Sequence, residues 1–165
     1  YGQSAIRQGL NSDASAGNIW TPTNGFDRPP SWASSATGFR NGLDPNFLSI
    51  IDTAKVKCST NNTYEAPDSE WVKNTAYTLN DKIFLASRME VFGSSDVVDG
   101  SALMTYFVGA TNDDRIKLLN GSPRYWWLRT PYSSGAGNPR YVYTGGSLYS
   151  DCADFSCGCV PACII

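Results

Sequence analysis

The sequence predicts a small, loop-rich domain that mixes short helices with short strands. Three observations carry this. Gly (15), Pro (9) and aromatic residues (13%) are too frequent for a helical bundle and too dispersed for disorder. Charged residues make up only 17%, while Asn and Ser are abundant, so regular structure is short. Apolar spacing alternates along the chain between helix-like stripes and strand-like runs. At 165 residues one domain is expected. A chain of this length buries roughly 68–70% of its unfolded surface, enough for its own core.

The elements follow in order. Residues 1–12 read as a short helix with Ala5, Ile6 and Leu10 as its apolar stripe, weakened by Gly9. Residues 18–39 form a long ordered loop pinned by Trp20, Phe26 and Trp32. Asp44 and Pro45, an N-cap followed by proline at the first helical position, open a second helix through Ile51, with Phe47, Leu48, Ile50 and Ile51 as its buried side. A strand is expected over 55–58, then a polar turn-like stretch over 61–80 anchored by Trp71. The apolar centre Ile83-Phe84-Leu85-Ala86 reads as a buried strand, and 93–100 as a solvated loop, in which Asp96 and Asp99 are weak calcium candidates. A helix capped at Thr111 or Asn112 is expected through Leu119, stopped by Asn120-Gly121. Residues 125–129 read as a strand whose adjacent Trp126 and Trp127 face opposite ways, one into the core and one under a loop. Arg140 to Tyr149 reads as a hairpin in which Gly145-Gly146 supplies the positive φ angles. Residues 160–165 return as a terminal strand.

Charge and missing residue types exclude several function classes. Thirteen basic against fifteen acidic residues leave no basic footprint for nucleic acid or an anionic membrane. No apolar run approaches the ~18 residues of a membrane span, so no direct membrane insertion is expected. With no histidine, Ser-His-Asp and Cys-His catalysis and His-based zinc sites are absent. Five cysteines occur, four of them in the last fourteen residues. Cys157-x-Cys159-x3-Cys163 fits no common zinc spacing, and a Cys152–Cys157 disulfide is a weak alternative. The simplest reading is small apolar side chains. The chain opens at Tyr1 without Met, so it is expected to be the C-terminal part of a longer protein.

The end of the chain has an unusual composition. Residues 131–165 contain no Lys, Glu, Gln, Met or Trp, whereas the first 130 residues contain 17 of them. Roughly 4 to 5 are expected by length against ordinary usage. Every residue type between Ser133 and Cys159 has a codon reachable from an Asn codon by changing its two adenines; the missing types do not. Adenine-directed mutagenesis of an Asn-rich template leaves this pattern. An ordinary turn-rich segment, which also disfavours long charged side chains, is the plainer alternative.

The chain also carries Ser4-Ala5-Ile6-Arg7-Gln8, Thr21-Pro22-Thr23-Asn24, Phe26-Asp27-Arg28-Pro29-Pro30-Ser31-Trp32 and Gly42-Leu43-Asp44-Pro45. Further on stand Lys82-Ile83-Phe84-Leu85, Leu119-Asn120-Gly121-Ser122, Tyr125-Trp126-Trp127-Leu128-Arg129-Thr130-Pro131-Tyr132 and Pro161-Ala162-Cys163. In these stretches it resembles a domain family of gut bacteria and their phages, related to the variable proteins of diversity-generating retroelements. The resemblance spans almost the whole chain, and the Trp-Trp-Leu-Arg block with the Gly/Val/Pro-Ala ending is its most specific part. Two positions depart from the pattern: Gly9 stands where a bulky aromatic is expected, and Gly145 where Asp commonly precedes the turn glycine.

The resemblance implies an α+β, C-type-lectin-like fold over 1–165, with two main helices, antiparallel strands and long ordered loops. It implies a variable region at 133–159 whose diversified surface residues bind ligand. Carried over by position, these are Ser134, Gly135, Ala136, Gly137, Asn138, Tyr143, Tyr149, Ser150, Asp151, Cys152, Asp154, Phe155 and Cys157. Arg140, Val142, Gly146, Leu148, Ala153, Ser156 and Gly158 form the fixed framework between them. Tyr143, Tyr149, Phe155 and Asp151 are the expected contact patch of this variant. Tyr adds contact area at low entropy cost, and Ser, Gly, Asn and Asp adapt.

The expected function is therefore display and binding without catalysis or cofactor. The expected partner is a macromolecular receptor on a cell or phage-host surface, a protein rather than a glycan, and the expected location is extracellular, on a phage tail or a bacterial surface. The Glu-Pro-Asn and Gln-Pro-Asp motifs of calcium lectins are missing, and Asn138-Pro139 is only a fragment of them. Three alternatives stand beside this reading: a carbohydrate-binding lectin domain using aromatic stacking, a structural tip domain without an exposed aromatic patch, and a formylglycine-generating-enzyme-like oxidase. The oxidase would use Cys159 and Cys163, or Cys152 and Cys157, with copper. A catalytic thiol there must titrate below about 8.5.

Overall fold

The computed structural model describes residues 1–2, 4–22, 29–60, 75–135 and 137–165. It is a small α+β fold with four short helices and nine short strands among the described residues. The chain forms two compact units interleaved in sequence. The first holds Tyr1–Lys55, Leu79–Phe84 and Pro161–Ile165; the second holds Val56–Thr78 and Leu85–Val160. Strands β1 (Ala54–Ser59), β2 (Ala76–Asp81) and β3 (Phe84–Leu85) contribute residues to both.

In the first unit, helix α1 (Ala5–Asn11) starts where Ser4 accepts a hydrogen bond from the Arg7 backbone N–H. Its polar face ties it down. Arg7 forms a bidentate pair with the buried Asp81, with Nη2–Oδ1 at 2.7 Å, and donates to the Gly2 carbonyl. Asn11 accepts from the N–H groups of Lys82 and Ile83 and donates to the Ile83 carbonyl. Gly9 faces the Trp32 ring, and a Cβ there would stand 3.5 Å from it, in ordinary contact.

Helix α2 (Pro45–Ile50) begins as expected. Asp44 accepts from the Asn46 and Phe47 N–H groups, and Pro45 sits at the first helical position. Its expected buried side is corrected. Ile51, just past the helix, is buried, but Phe47 and Ile50 are exposed. Six residues give too little of a turn pattern for the apolar spacing to fix one inward face. The anchors of residues 18–39 also differ. Ile19 and Ala33 are buried, Trp20 is half-buried and Trp32 is exposed; Phe26 and Trp71 lie outside the described residues. Strand β9 (Pro161–Ala162) pairs with β3, and Ile164 bridges Asp52, so the terminal segment returns to a sheet as expected.

The second unit holds a core of Ala86, Val91, Phe107, Trp126, Leu128 and Val142. The run 83–86 is buried throughout, but only Phe84–Leu85 is strand. Ser87 then opens helix α3 (Arg88–Phe92) through a reciprocal capping box with Glu90, a start signal that overrides the apolar run. Residues 76–80, expected to be turn-like, lie in strand β2 (Ala76–Asp81).

The helix expected from Thr111 to Leu119 is also corrected. Helix α4 (Asn112–Arg115) ends after four residues, and β4 (Lys117–Leu119) pairs antiparallel with β5 (Ser122–Arg124). Asn120 (φ 52°) and Gly121 (φ 76°) both take left-handed backbone between them, so Asn-Gly acts as a two-residue hairpin turn rather than a helix stop.

Strands β6 (Trp126–Pro131), β7 (Pro139–Val142) and β8 (Leu148–Ser150) form an antiparallel sheet in the order β6-β7-β8. Its register sorts the side chains. Trp126 pairs with Val142 and Val142 with Leu148, which lines one face against the core. Trp127 pairs with Tyr141 and Tyr141 with Tyr149, which builds the opposite face. The two adjacent tryptophans thus serve opposite faces, although both are buried.

Candidate functional site

The face carrying Trp127, Tyr141 and Tyr149 is where the candidate residues gather. Tyr143, at the foot of the β7–β8 turn, lies 5.1 Å from Tyr149 between ring centroids and 5.1 Å from Tyr125. Phe155 packs 5.4 Å from Tyr125 and 5.8 Å from Tyr141. Trp127 stands edge-on to Tyr141 at 5.7 Å. These separations are those of attractive aromatic pairs. Three expected contact residues, Tyr143, Tyr149 and Phe155, therefore share one cluster with Tyr125 and Tyr141, which sequence reasoning did not assign to the site. Period-two alternation from Trp127 along the hairpin contained the signal for Tyr141. Tyr143 and Tyr149 are exposed, Phe155 is half-buried and Tyr141 is buried beneath them.

The remaining candidates form a second group. Ser134, Gly135, Gly137 and Asn138 make the tip between β6 and β7, closed by hydrogen bonds from the Tyr132 N–H to the Asn138 carbonyl and from the Asn138 N–H to the Gly135 carbonyl. Ala136 lies outside the described residues. The Ala153 N–H donates to the Gly137 carbonyl, which ties this tip to the segment after β8. In that segment Cys152 and Asp154 are exposed, while Ser150, Asp151 and Cys157 are half-buried. Asp151 Oδ1 accepts from the Cys152 N–H at 2.8 Å.

The framework residues divide. Val142 and Gly146 are buried, and Leu148 packs against the core. Gly158 exchanges backbone hydrogen bonds with Tyr125 and Trp127. Ala153 and Ser156 are exposed, so burial is not what would hold these two fixed.

Asp96 lies in the loop expected to be solvated, and the structure makes it a hub. Arg88 pairs with its Oδ1 at 2.5 Å, Arg140 donates to its Oδ2, and the Ser133 hydroxyl donates to Oδ2 at 2.8 Å. Arg140 also lies over the Tyr132 ring at 4.2 Å. Both ends of the 133–138 tip are thus tied to one carboxylate. Burial pushes the Asp96 pKa up, but the bonds from Arg140, Ser133 and Arg88 overcome this and lower it from the ordinary 3.8 to about 2. A carboxyl depressed on folding stabilises the fold above its unfolded pKa, and that share is lost as pH falls from about 4 towards 2. Because solvent reaching Asp96 screens these bonds, Asp96→Asn is expected to cost about 1 kcal/mol at neutral pH and to flatten the acid limb of stability. Urea titrations at pH 7, 4 and 2.5 check this; an unchanged slope between pH 4 and 2.5 refutes it.

Two of the thiols, Cys157 and Cys159, have the wrong electrostatics for a nucleophile. Cys152, Cys157, Cys159 and Cys163 are free thiols. Burial, then the charge of Asp151 and the neighbouring Cys159, pushes the Cys157 thiol up to about 12. Cys159 is exposed as a residue, yet burial around its thiol raises its pKa also. A reactive cysteine needs the opposite shift. Among the described residues no group of three or more Cys, Asp or Glu side chains is placed to hold a metal ion. No described helix is long and apolar enough to cross a membrane.

The whole chain, residues 1–165, matches the family described as Domain of unknown function (DUF6273). The chain belongs to this family. No curated protein and no solved structure matches the DUF6273 chain. Within this DUF6273 domain, the described residues bring together an antiparallel sheet, an exposed aromatic face and a loop tip tied to Asp96.

Proposed function

We propose that this domain is a ligand-binding display domain, C-type-lectin-like in its finer fold, whose C-terminal surface residues are diversified by a retroelement to bind varied receptors. The observation that carries the reading is the split across the β6-β7-β8 sheet. One face is buried core with Val142 at 0% exposure, and the other gathers Tyr143, Tyr149 and Phe155 at the surface. Exposed substitutions usually cost under about 0.5 kcal/mol, so such a face accepts many side chains without loss of fold. The bias of residues 133–159 towards types reachable from Asn codons supports the same reading. The receptor is a protein on a cell or phage-host surface, and the domain works outside the cell, on a phage tail or a bacterial surface.

The test is to sequence the coding segment for residues 125–165 across many related isolates. Changes are expected at the thirteen candidate positions, in codons derived from Asn, sparing Trp126, Trp127, Gly146 and Pro161. Changes scattered evenly over the segment, or fixed candidate positions beside invariant Cys159 and Cys163, overturn the reading. The second outcome directs attention to copper binding and oxidase chemistry.

A further inference from the structure

The aromatic face has a charge character that narrows its partner. Residues 141–165 contain no Lys or Arg, while Asp151 and Asp154 fall within them. Of the basic residues nearest in sequence, Arg140 is committed to Asp96 and Tyr132, and Arg124 sits on β5 opposite Lys117. Burial is the main cause of the raised pKa values of Tyr141 and Cys157, and the negative charge of Asp151 adds to it at both, so that charge bears on the aromatic cluster. The Asp151 carboxylate is held in place by the Cys152 N–H.

The same sheet shows what such a pairing holds. At Arg140 a guanidinium lies 4.2 Å above the Tyr132 ring while Asp96 accepts from its Nη2. Tyrosine faces and a carboxylate attract a planar cation together, the ring through its negative π-face and the carboxylate through charge. The cluster of Tyr141, Tyr143 and Tyr149, with Asp151 directly after β8 and two residues past Tyr149, offers these same two groups, with no cation supplied by residues 141–165.

We propose that the hairpin face of Tyr143 and Tyr149, with Asp151 as counter-charge, binds a protein partner through a basic side chain, an arginine or lysine laid over the tyrosine rings. This rests on the display reading above and names the chemistry of its partner.

The test is selection of a random peptide library displayed on phage against the intact 165-residue chain, followed by binding titrations with the selected synthetic peptides. Selected peptides are expected to be enriched in Arg and Lys. Their affinity is expected to fall as salt rises from about 0.05 to 0.5 M. It is expected to fall at least about tenfold in Asp151→Asn and in the double variant Tyr143→Ser/Tyr149→Ser. Replacing the key peptide arginine by citrulline, which keeps the shape and removes the charge, is expected to give the same loss. Thermal melts of the variants confirm that the fold is retained. Neutral or acidic peptides that bind with loss in the Tyr143/Tyr149 variant overturn the cationic partner but leave the display reading standing. Basic peptides whose affinity is unchanged in both variants overturn it as well, because the charge then acts elsewhere. Selected peptides that all map away from residues 133–157 overturn both.

Discussion

Arg129→Ala is expected to destabilise the protein by about 3–5 kcal/mol, a large share of the 5–15 kcal/mol typical of a domain. The Arg129 side chain is fully buried. It forms a bidentate pair with Glu90, with Nη2–Oε1 at 2.5 Å and Nη1–Oε2 at 2.6 Å. It also donates to the carbonyls of Leu85 and Lys57. Burial alone would favour loss of the proton, but Glu90 reverses this and keeps the guanidinium charged. Truncation leaves the buried Glu90 carboxylate without its cation and removes the Arg129 donors from the Leu85 and Lys57 carbonyls. The cost comes from those groups left behind rather than from the strength of the pair. The double variant Arg129→Met/Glu90→Met is therefore expected to recover part of the loss. Urea midpoints for wild type, both single variants and the double variant measure this. A single-variant loss below about 1 kcal/mol contradicts the account.

The second large effect is at Gly146. Its φ is +79°, and a Cβ there would stand 1.8 Å from the Asn112 carbonyl oxygen. Gly146→Ala combines left-handed backbone with a collision against main chain, so a loss on the order of 3 kcal/mol is expected. Gly145 is the internal control: it has no positive φ and nothing within 4 Å of an added Cβ. Gly145→Ala is expected to change stability by less than about 0.5 kcal/mol. Thermal denaturation of the two variants side by side separates them, and equal effects at both positions would show that the turn has been misassigned. The result corrects the expectation that both glycines supply positive φ angles. The turn uses one left-handed residue, with the Gly146 N–H donating to the Tyr143 carbonyl and the Tyr143 N–H to the Ser147 carbonyl.

What could be read from sequence was whatever local chemistry decides alone. Asp44-Pro45 starts a helix because its cap and its fixed φ act within four residues. The adjacent tryptophans sort to opposite faces because strand geometry dictates it. The errors arose where a distant or competing partner decides. Asn120-Gly121 suits both a helix stop and a hairpin turn, and the pairing of β4 with β5 settles it. Asp96 looked like a solvated loop residue because its three partners come from positions 88, 133 and 140. Phe47 and Ile50 looked inward-facing because a six-residue helix carries too few turns to fix its orientation. At the candidate surface, Tyr143 and Tyr149 could be named from sequence, but the contribution of Tyr125 and Tyr141 needed the cross-strand register.

The aromatic face also limits how freely its members can vary. Tyr143 leans on Tyr149 and Tyr125, and Phe155 leans on Tyr125 and Tyr141, all within 6 Å between centroids. Side chains this close do not contribute additively, because each sets the rotamers open to the next. A replacement at position 143 changes what is tolerated or useful at 149. The surface therefore behaves as one cooperative unit rather than as separate interchangeable letters. The set of workable combinations is smaller than the product of the choices at each position, and good solutions come in matched groups.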